Sequence, residues 1–551
     1  MNALQIGTSA IAAGQRGLDL VGQNLANAAT PGYHRQAVNL VSRVTGDVYG
    51  TGVAVASITR FTAQAVRTAI LSNNSAQAAF STRLDIRRQI ERALGTTDGG
   101  IADQLNDFFN RIEQLSSRPD DTAARRPLIA TAVELARQFN AAATDIDRLR
   151  NTISDQIPQA VEQLNDWASR IADLNIRISI REKTGDQAND LRDQRDQLIH
   201  DLAKLVDIKT VDQPYGVVNV MAAGAAIVVG EFANRFEVNT DPQGNWIITP
   251  VGSTQSVTFQ SGRLGALLQE HNTEIPATRS RLDALVSALV NQVNAVHATG
   301  VPLSGPWTTT TGTVSALSAT VPLDAAGLPF PIQTGHLTIS VTDTSTNIRT
   351  STTIPIDPAT QSLNDLATAL SSIPGLTASV HTPANTLQVD ALPGFAFDFA
   401  AANADTAGLL PALGINGFFL GSTAAGIRVR SEIVANPNLL AAGTTPQPGD
   451  STNLQRWAAL RDVAVFGNRT FQGEYADQAA AVGADVQSLA DRQTAQTNLM
   501  QALSAQEQAV IGVDMNEELV RLLDFQRMVQ SASRYLSVVN SALDEIIDIL
   551  R

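Results

Sequence analysis

Six histidines, at positions 34, 200, 271, 297, 336 and 381, are the side chains of this sequence that could bind a metal or move a proton near neutral pH. They are scattered, none falls at a metal-ligand spacing from another, and each reads as a solvated or helix-surface residue. Asp190, Asp193 and Asp196 recur every three residues, which puts three carboxylates on roughly one helix face, as a metal or acid/base cluster would. Arg192 and Arg195 stand between them, and with both charges interleaved the stretch reads instead as a helix face laced with ion pairs. Arg192 and Asp196, four apart, are expected on its exposed side. No phosphate loop, dinucleotide fingerprint, zinc-binding helix or nucleophile elbow occurs. The 551 residues include no cysteine, so disulfides, thiolate metal sites and cysteine nucleophiles are excluded. The expectation is a protein with no catalytic residue, no metal and no cofactor.

Periodicity is the stronger signal. Leu4, Ile11, Leu18 and Leu25 recur every seven residues, with Gly7, Gly14, Val21 and Ala28 three positions after each. Leu522, Val529, Leu536, Leu543 and Leu550 repeat the spacing at the other end, flanked by Phe525, Ala532, Val539 and Ile546. A strict heptad keeps one apolar stripe facing a partner helix as the two supercoil. Glycines 7, 14, 17 and 22 each weaken the first helix by roughly 1 kcal/mol relative to alanine, so it needs packing to persist and lets another helix come close. A buried seam within one monomer is the simpler reading. Polar Gln526, Ser533 and Asn540 beside the second seam favour packing that selects a partner.

Between these ends the chain should form several domains, since single cores stop growing well below this length. A helix from Leu4 to Asn27 should stop at Thr30-Pro31-Gly32 and lead into strands at Tyr33–Val44 and Val53–Arg60, joined through Gly46–Gly50. Long helices are predicted from Phe61 to Ile208, with Pro158 interrupting or kinking one of them. Short β runs follow over 209–260, then a helix from Ser261 to His297 broken at Pro276. The stretch 301–445, rich in Thr, Gly and Pro, reads as two strands, a helix opened by a Ser362-x-x-Asp365 cap, and two strands. Helices return from Thr452 to Arg551, divided at Gly512. The fold class is therefore α+β multidomain, with terminal coiled-coil-type helices, a long helical bundle and a β-rich inserted outer domain. The expected division is 1–36 with 514–551, then 37–300 with 446–513, and 301–445 as the insertion.

A net charge of −14 disfavours nucleic acid as a partner. No Lys or Arg precedes Arg16, no uninterrupted apolar segment opens the chain, and no run approaches twenty apolar residues. Neither a cleaved secretory signal nor a membrane span is expected.

The run Asn24-Leu25-Ala26-Asn27-Ala28-Ala29-Thr30-Pro31-Gly32-Tyr33-His34-Arg35-Gln36 resembles the amino-terminal signature of bacterial flagellar rod, hook and hook-associated proteins. Its ending, Thr30-Pro31-Gly32-Tyr33-x-Arg35-Gln36, is most similar to the hook-associated members. Asn189–Val206, Leu413–Phe419, Gly449–Asn453 and Gly512–Gln526 resemble further segments of that family, in the family's order. Thr62 and Met528-Val529 depart from it. The resemblance implies a structural axial protein that forms the junction between hook and filament by polymerising through its terminal helices. The subunit-interaction residues would be Leu4, Ile11, Leu18, Leu25, Leu522, Val529, Leu536, Leu543 and Leu550. Asn24, Asn27, Thr30, Pro31, Gly32, Tyr33, Arg35 and Gln36 would form the signature turn. Copies of the chain in a tube, the hook protein and a second hook-associated protein would be its neighbours, and an export chaperone would hold the carboxy-terminal helix. Its place would be extracellular, after export without a cleaved signal. A hook or rod subunit of the same system, and a helical surface adhesin working through the insertion, are the alternatives.

Overall fold

The computed structural model describes residues 2–44, 50–95, 99–185, 187–401 and 403–549; the predicted connection at 46–49 and Leu550 lie outside them. The chain divides into two compact units, one of Met1–Asp85, Thr152–Asn272 and Gln487–Arg551, the other of Ile86–Asn151 and Thr273–Val486.

The first unit is organised around α1 (Asn2–Ala26). A hairpin of β1 (Gln36–Val44) and β2 (Gly50–Arg60), bulged between Asn39 and Leu40, packs along it, and the Val53 N–H donates to Ser9 Oγ at 3.2 Å. The last helix (Met515–Ile549) packs along α1 as well. Their approach depends on three glycines. A Cβ at Gly14 would stand 2.5 Å from Val529 Cγ2, one at Gly17 2.5 Å from the Phe525 ring, and one at Gly7 inside the Leu536 side chain. What α1 buries is Gly7, Ala13, Gly14, Gly17, Leu20, Val21 and Asn24; the leucines of the heptad flank that face and are only half-buried.

α2 (Gln64–Ala93), α3 (Ile101–Ser116), α4 (Thr122–Lys183) and α5 (Asn189–Leu205) follow. Of the interruption or kink expected at Pro158, the interruption does not occur, and α4 runs unbroken through 62 residues. A proline inside a helix costs about 3 kcal/mol. Here Ile153, Ile157, Ala160, Val161 and Leu164, all buried around it, outweigh that cost. In the first unit α4 also carries a β meander, β3 (Ile208–Asp212), β4 (Val218–Ala222), β5 (Ala225–Val229) and β6 (Phe232–Ala233), paired in that order. Buried Asn175 of α4 fastens it, donating to the Val218 and Gly230 carbonyls at 2.8 and 2.7 Å and accepting the Val218 N–H at 3.2 Å.

The interruption expected at Pro276 falls just before it. A helix at Gly262–Gln269 passes through a π-helical turn at Glu270–Glu274 into one at Ile275–Ala298, where Pro276 occupies the first turn and its missing N–H is not needed.

The second unit has an aromatic centre. α3 buries Ile101, Leu105, Phe108, Phe109, Ile112 and Leu115, the helical spacing read from sequence. Phe108 meets Phe418, Phe419 and Trp457 at ring-centroid distances of 6.4, 5.9 and 6.3 Å. His297 is wholly buried between Phe418 and Trp457. Its Nδ1 lies 2.7 Å from the Asn416 carbonyl and its Nε2 accepts the Ala441 N–H at 3.1 Å, so the proton is on Nδ1. Burial pushes the imidazole down to about 4.

The β-rich stretch of this unit forms two antiparallel three-stranded sheets. Gly335–Asp343 lies between Arg349–Ile356 and Phe395–Asp398, and Thr386–Ala391 lies between Thr309–Thr311 and Leu376–His381. The helix between them opens on the predicted capping box of Ser362 and Asp365. The strand at Phe395 returns to the first sheet, a long-range pairing that alternation alone does not specify.

Candidate assembly site: the terminal helix pair and its polar clasp

The signature turn closes the end of α1. Thr30 N–H donates to the Asn27 carbonyl at 2.9 Å, the Thr30 hydroxyl to Asn27 Oδ1 at 3.2 Å, and Tyr33 N–H to the Thr30 carbonyl at 3.2 Å. Gly32 takes φ +78°, which a side chain resists. α1 has already ended at Ala26, and Pro31, which supplies no donor, keeps it from resuming.

This turn brings Asn24 and Gln36 together in the interior. Asn24 Oδ1 accepts from the Tyr33 hydroxyl at 2.7 Å and from the Gln36 N–H at 3.1 Å. Its Nδ2 donates to the Gln36 carbonyl at 2.8 Å and to Glu518 Oε2, at the start of the last helix, at 2.9 Å. Asn24, Gln36 and Glu518 are all buried. Burial, and then the carboxylates of Asp193, Asp190 and Glu518, push the Tyr33 phenol up, so it stays a donor. Arg35 adds a second fastening: its N–H donates to the Ile511 carbonyl at 2.9 Å, its guanidinium meets Glu517 at 2.6 Å, and it lies 4.3 Å from the Phe61 ring centroid. Asn189 of α5 donates to Gln36 Oε1 at 2.9 Å. One clasp thus holds the end of α1, the start of β1, α5 and the beginning of the last helix.

The aspartates of α5 divide. Asp196 is buried rather than exposed, and its two shorter pairs come from outside its helix, Arg60 at 2.8 Å and Arg67 at 2.6 Å, while Arg195 of α5 itself lies at 3.4 Å. Burial alone would raise its carboxyl, but Arg67, Arg60 and Arg195 outweigh burial and hold it at about 2. Asp193 meets Arg60 at 2.6 Å and His34 at 2.9 Å. Arg192 turns away to Glu182 at 2.6 Å. Asp193 and Asp196 are engaged in ion pairs within the fold, and among the described residues no group of His, Asp and Glu is arranged to hold a metal. Asp190 is exposed and lines a cleft of about 1000 Å³ with Thr30, Pro31, Tyr33, Trp167 and Asp201.

Of the heptad residues, Leu4, Ile11, Leu18, Leu25, Leu522, Val529 and Leu536 are half-buried and Leu543 is 39% exposed. No helix among the described residues is long and apolar enough to cross a membrane. Sequence reasoning missed Glu518, Arg60 and Arg67. Glu518 had a signal: it stands seven residues before Phe525, a carboxylate in register with an apolar stripe.

Residues 87–312 match the family described as the flagellar hook-associated protein FlgK helical domain. Flagellar hook-associated protein 1 of Escherichia coli (strain K12) is 25% identical over 98% of both chains, and that of Salmonella typhimurium is 26% identical over 98% of both. Along nearly its whole length the chain is similar to the flagellar hook-associated proteins. The Bacillus subtilis member is 32% identical over a shorter stretch, 37% of this chain and 43% of its own. The flagellar hook junction protein FlgK from Burkholderia pseudomallei shares the fold, with a TM-score of 0.50 and 19% identity over 80% of this chain and all of that one.

Proposed function

We propose that this chain is a structural axial subunit of the bacterial flagellum, forming the junction between hook and filament by polymerising through its terminal helices. The observation that carries the reading is the clasped pair of terminal helices, whose leucine seams stay partly open in one copy, in a chain matched end to end by hook-associated protein 1. Half-buried apolar stripes gain from further burial, at roughly 25 cal/mol per Å², and neighbouring copies would supply it. The role is mechanical rather than catalytic.

On this reading 1–36 with 514–551 build an inner tube, 37–300 with 446–513 a surrounding layer, and 301–445 faces outward. Hook protein and a second hook-associated protein adjoin it. It reaches the cell exterior without a cleaved signal, its carboxy-terminal helix held by an export chaperone until assembly. Deleting the gene should leave hooks without filaments in electron micrographs, and the intact chain should restore filaments where Leu536→Arg does not. Filaments still attached in the deletion strain sink the proposal. Removing 301–445 separates the adhesin alternative, which requires that motility survive while surface binding is lost.

A further inference from the structure

In the first unit a groove runs between α4 and the β3–β6 meander. Glu162, Ser169, Ala172, Ile176, Ile180 and Lys183 recur at spacings of three, four and seven, which sets them on one face of α4. Ala172 is buried at its floor, and Ile180 is 62% exposed. The meander supplies the opposite wall. Val229 and Phe232 are cross-strand partners, so both side chains stand on the same side of the sheet, and Phe232 is 76% exposed. Ala172, Ile176 and Phe232 together line a cavity of about 580 Å³. Beyond it Tyr215 projects from the turn between β3 and β4 with φ +56°, its ring centroid 5.7 Å from the Lys183 ammonium. Exposed apolar residues are ordinary when scattered, but several gathered along one groove mark a contact surface. The rim of this one is acidic. Glu162, Asp166, Asp173 and Glu231 line the cavity with Arg235 as its cation. Asp166 and Asp173 reach Arg170 and Arg177 loosely, at 3.6 and 3.7 Å, and the side chains of Glu162 and Glu231 have no hydrogen-bond or ion-pair partner among the described residues.

We propose that this groove receives a basic amphipathic helix of another protein, its apolar stripe on Ile176, Ile180 and Phe232 and its cations on Glu162, Glu231 and the aspartates beside them. Ile176 and Ile180 are one turn apart, about 6 Å, the interval at which side chains four apart repeat on an approaching helix. From Glu162 to Lys183 the face extends roughly 32 Å, so a helix of about 20 residues fills it. The carboxylates choose among occupants. An anionic lipid surface or a nucleic acid would bring phosphates against them, and a second copy of this chain carries the same net charge of −14. Lys183 stands at one end of the face and the carboxylates at the other, so the most basic part of the occupant lies at the Glu162 end. Covering the exposed parts of Phe232 and Ile180 supplies affinity, and the charges supply selection.

Two synthetic helical peptides of about 18 residues test this against the full chain. Both carry the same leucine stripe, one with lysine and the other with glutamate at all remaining positions, and binding is read by fluorescence anisotropy and by hydrogen exchange. The lysine peptide should bind, less tightly as salt rises, and slow exchange in 172–183 and 229–233. The glutamate peptide should not bind. Phe232→Ser with Ile180→Ser, both at exposed positions and so melting as the parent does, should weaken binding by about tenfold or more. Glu162→Gln with Glu231→Gln should weaken it and flatten the salt dependence, whereas Leu317→Ser, at an exposed apolar residue of the second unit, should change nothing. No binding of the lysine peptide, equal binding of both peptides, affinity unmoved by either pair of substitutions, or protection confined to other segments overturns the proposal. So does a dimer of the chain in sedimentation that Phe232→Ser abolishes, which assigns the groove to a second copy.

Discussion

Acid should loosen the second unit through one residue, His297. Its ring is wholly buried, Nε2 accepts the Ala441 N–H, and a second ring proton would have to point at that donor. The folded imidazole titrates at about 4 against an ordinary 6.5. Below 6.5 the unfolded chain takes up a proton there and the folded chain does not, so stability is complete above 6.5 and falls as pH drops toward 4. The loss approaches 1.4 kcal/mol per pH unit and totals about 3 kcal/mol. Urea denaturation of the full chain across this range, read by hydrogen exchange in the segments around Asn416, Ala441 and Trp457, measures it. His297→Gln has no proton to take up, so its stability, lower at neutral pH, should be flatter by that amount over the same window. Parallel slopes for the two chains would refute the assignment, because the proton uptake would then lie elsewhere.

The first unit should respond to acid later. Asp196 is held at about 2, so its contribution, on the order of 2 kcal/mol, is present above about 4 and lost as pH falls toward 2. Asp196→Asn leaves Arg60, Arg67 and Arg195 facing one another and should cost roughly 3–5 kcal/mol at neutral pH, visible in the urea midpoint. Asn24→Ala removes the buried partner of Glu518 Oε2 and of the Gln36 N–H and should cost about 3 kcal/mol, with exchange rising in both terminal helices; unchanged exchange would mean the clasp contributes nothing. Two glycines of α1 should respond in opposite directions. Gly14→Ala drives a methyl into Val529 and should destabilise the helix pair by about 1–3 kcal/mol. Gly22→Ala enters open space and should stabilise α1 by up to about 1 kcal/mol, both read by thermal melting.

Much of this was legible where the cause is local. The spacing within α3, the Ser362–Asp365 cap, and the stop at Gly512 between Phe471–Ile511 and Met515–Ile549 depend on residues within a few positions of one another. Pro158 misled because local cost was outweighed by packing along a long helix. The aspartates of α5 were recognisable as ion-paired, but their chief partners, Arg60 and Arg67, lie more than a hundred residues earlier, and no periodicity links them. Asn175 was invisible for a related reason. An amide that fastens strands to a helix looks in sequence like any solvated asparagine.

The clasp also dictates timing. Asn24 and Glu518 are 494 residues apart, and closing so long a loop in an otherwise unstructured chain costs roughly 5 kcal/mol of entropy beyond the constant term. α1 leaves the ribosome first, yet its buried amide has no carboxylate to meet until synthesis is almost complete. Prior folding of the intervening residues shortens the effective loop, so clasp formation belongs at the end of the folding order. A chain truncated only after Ile511 would carry every residue of α1 and still be unable to finish it.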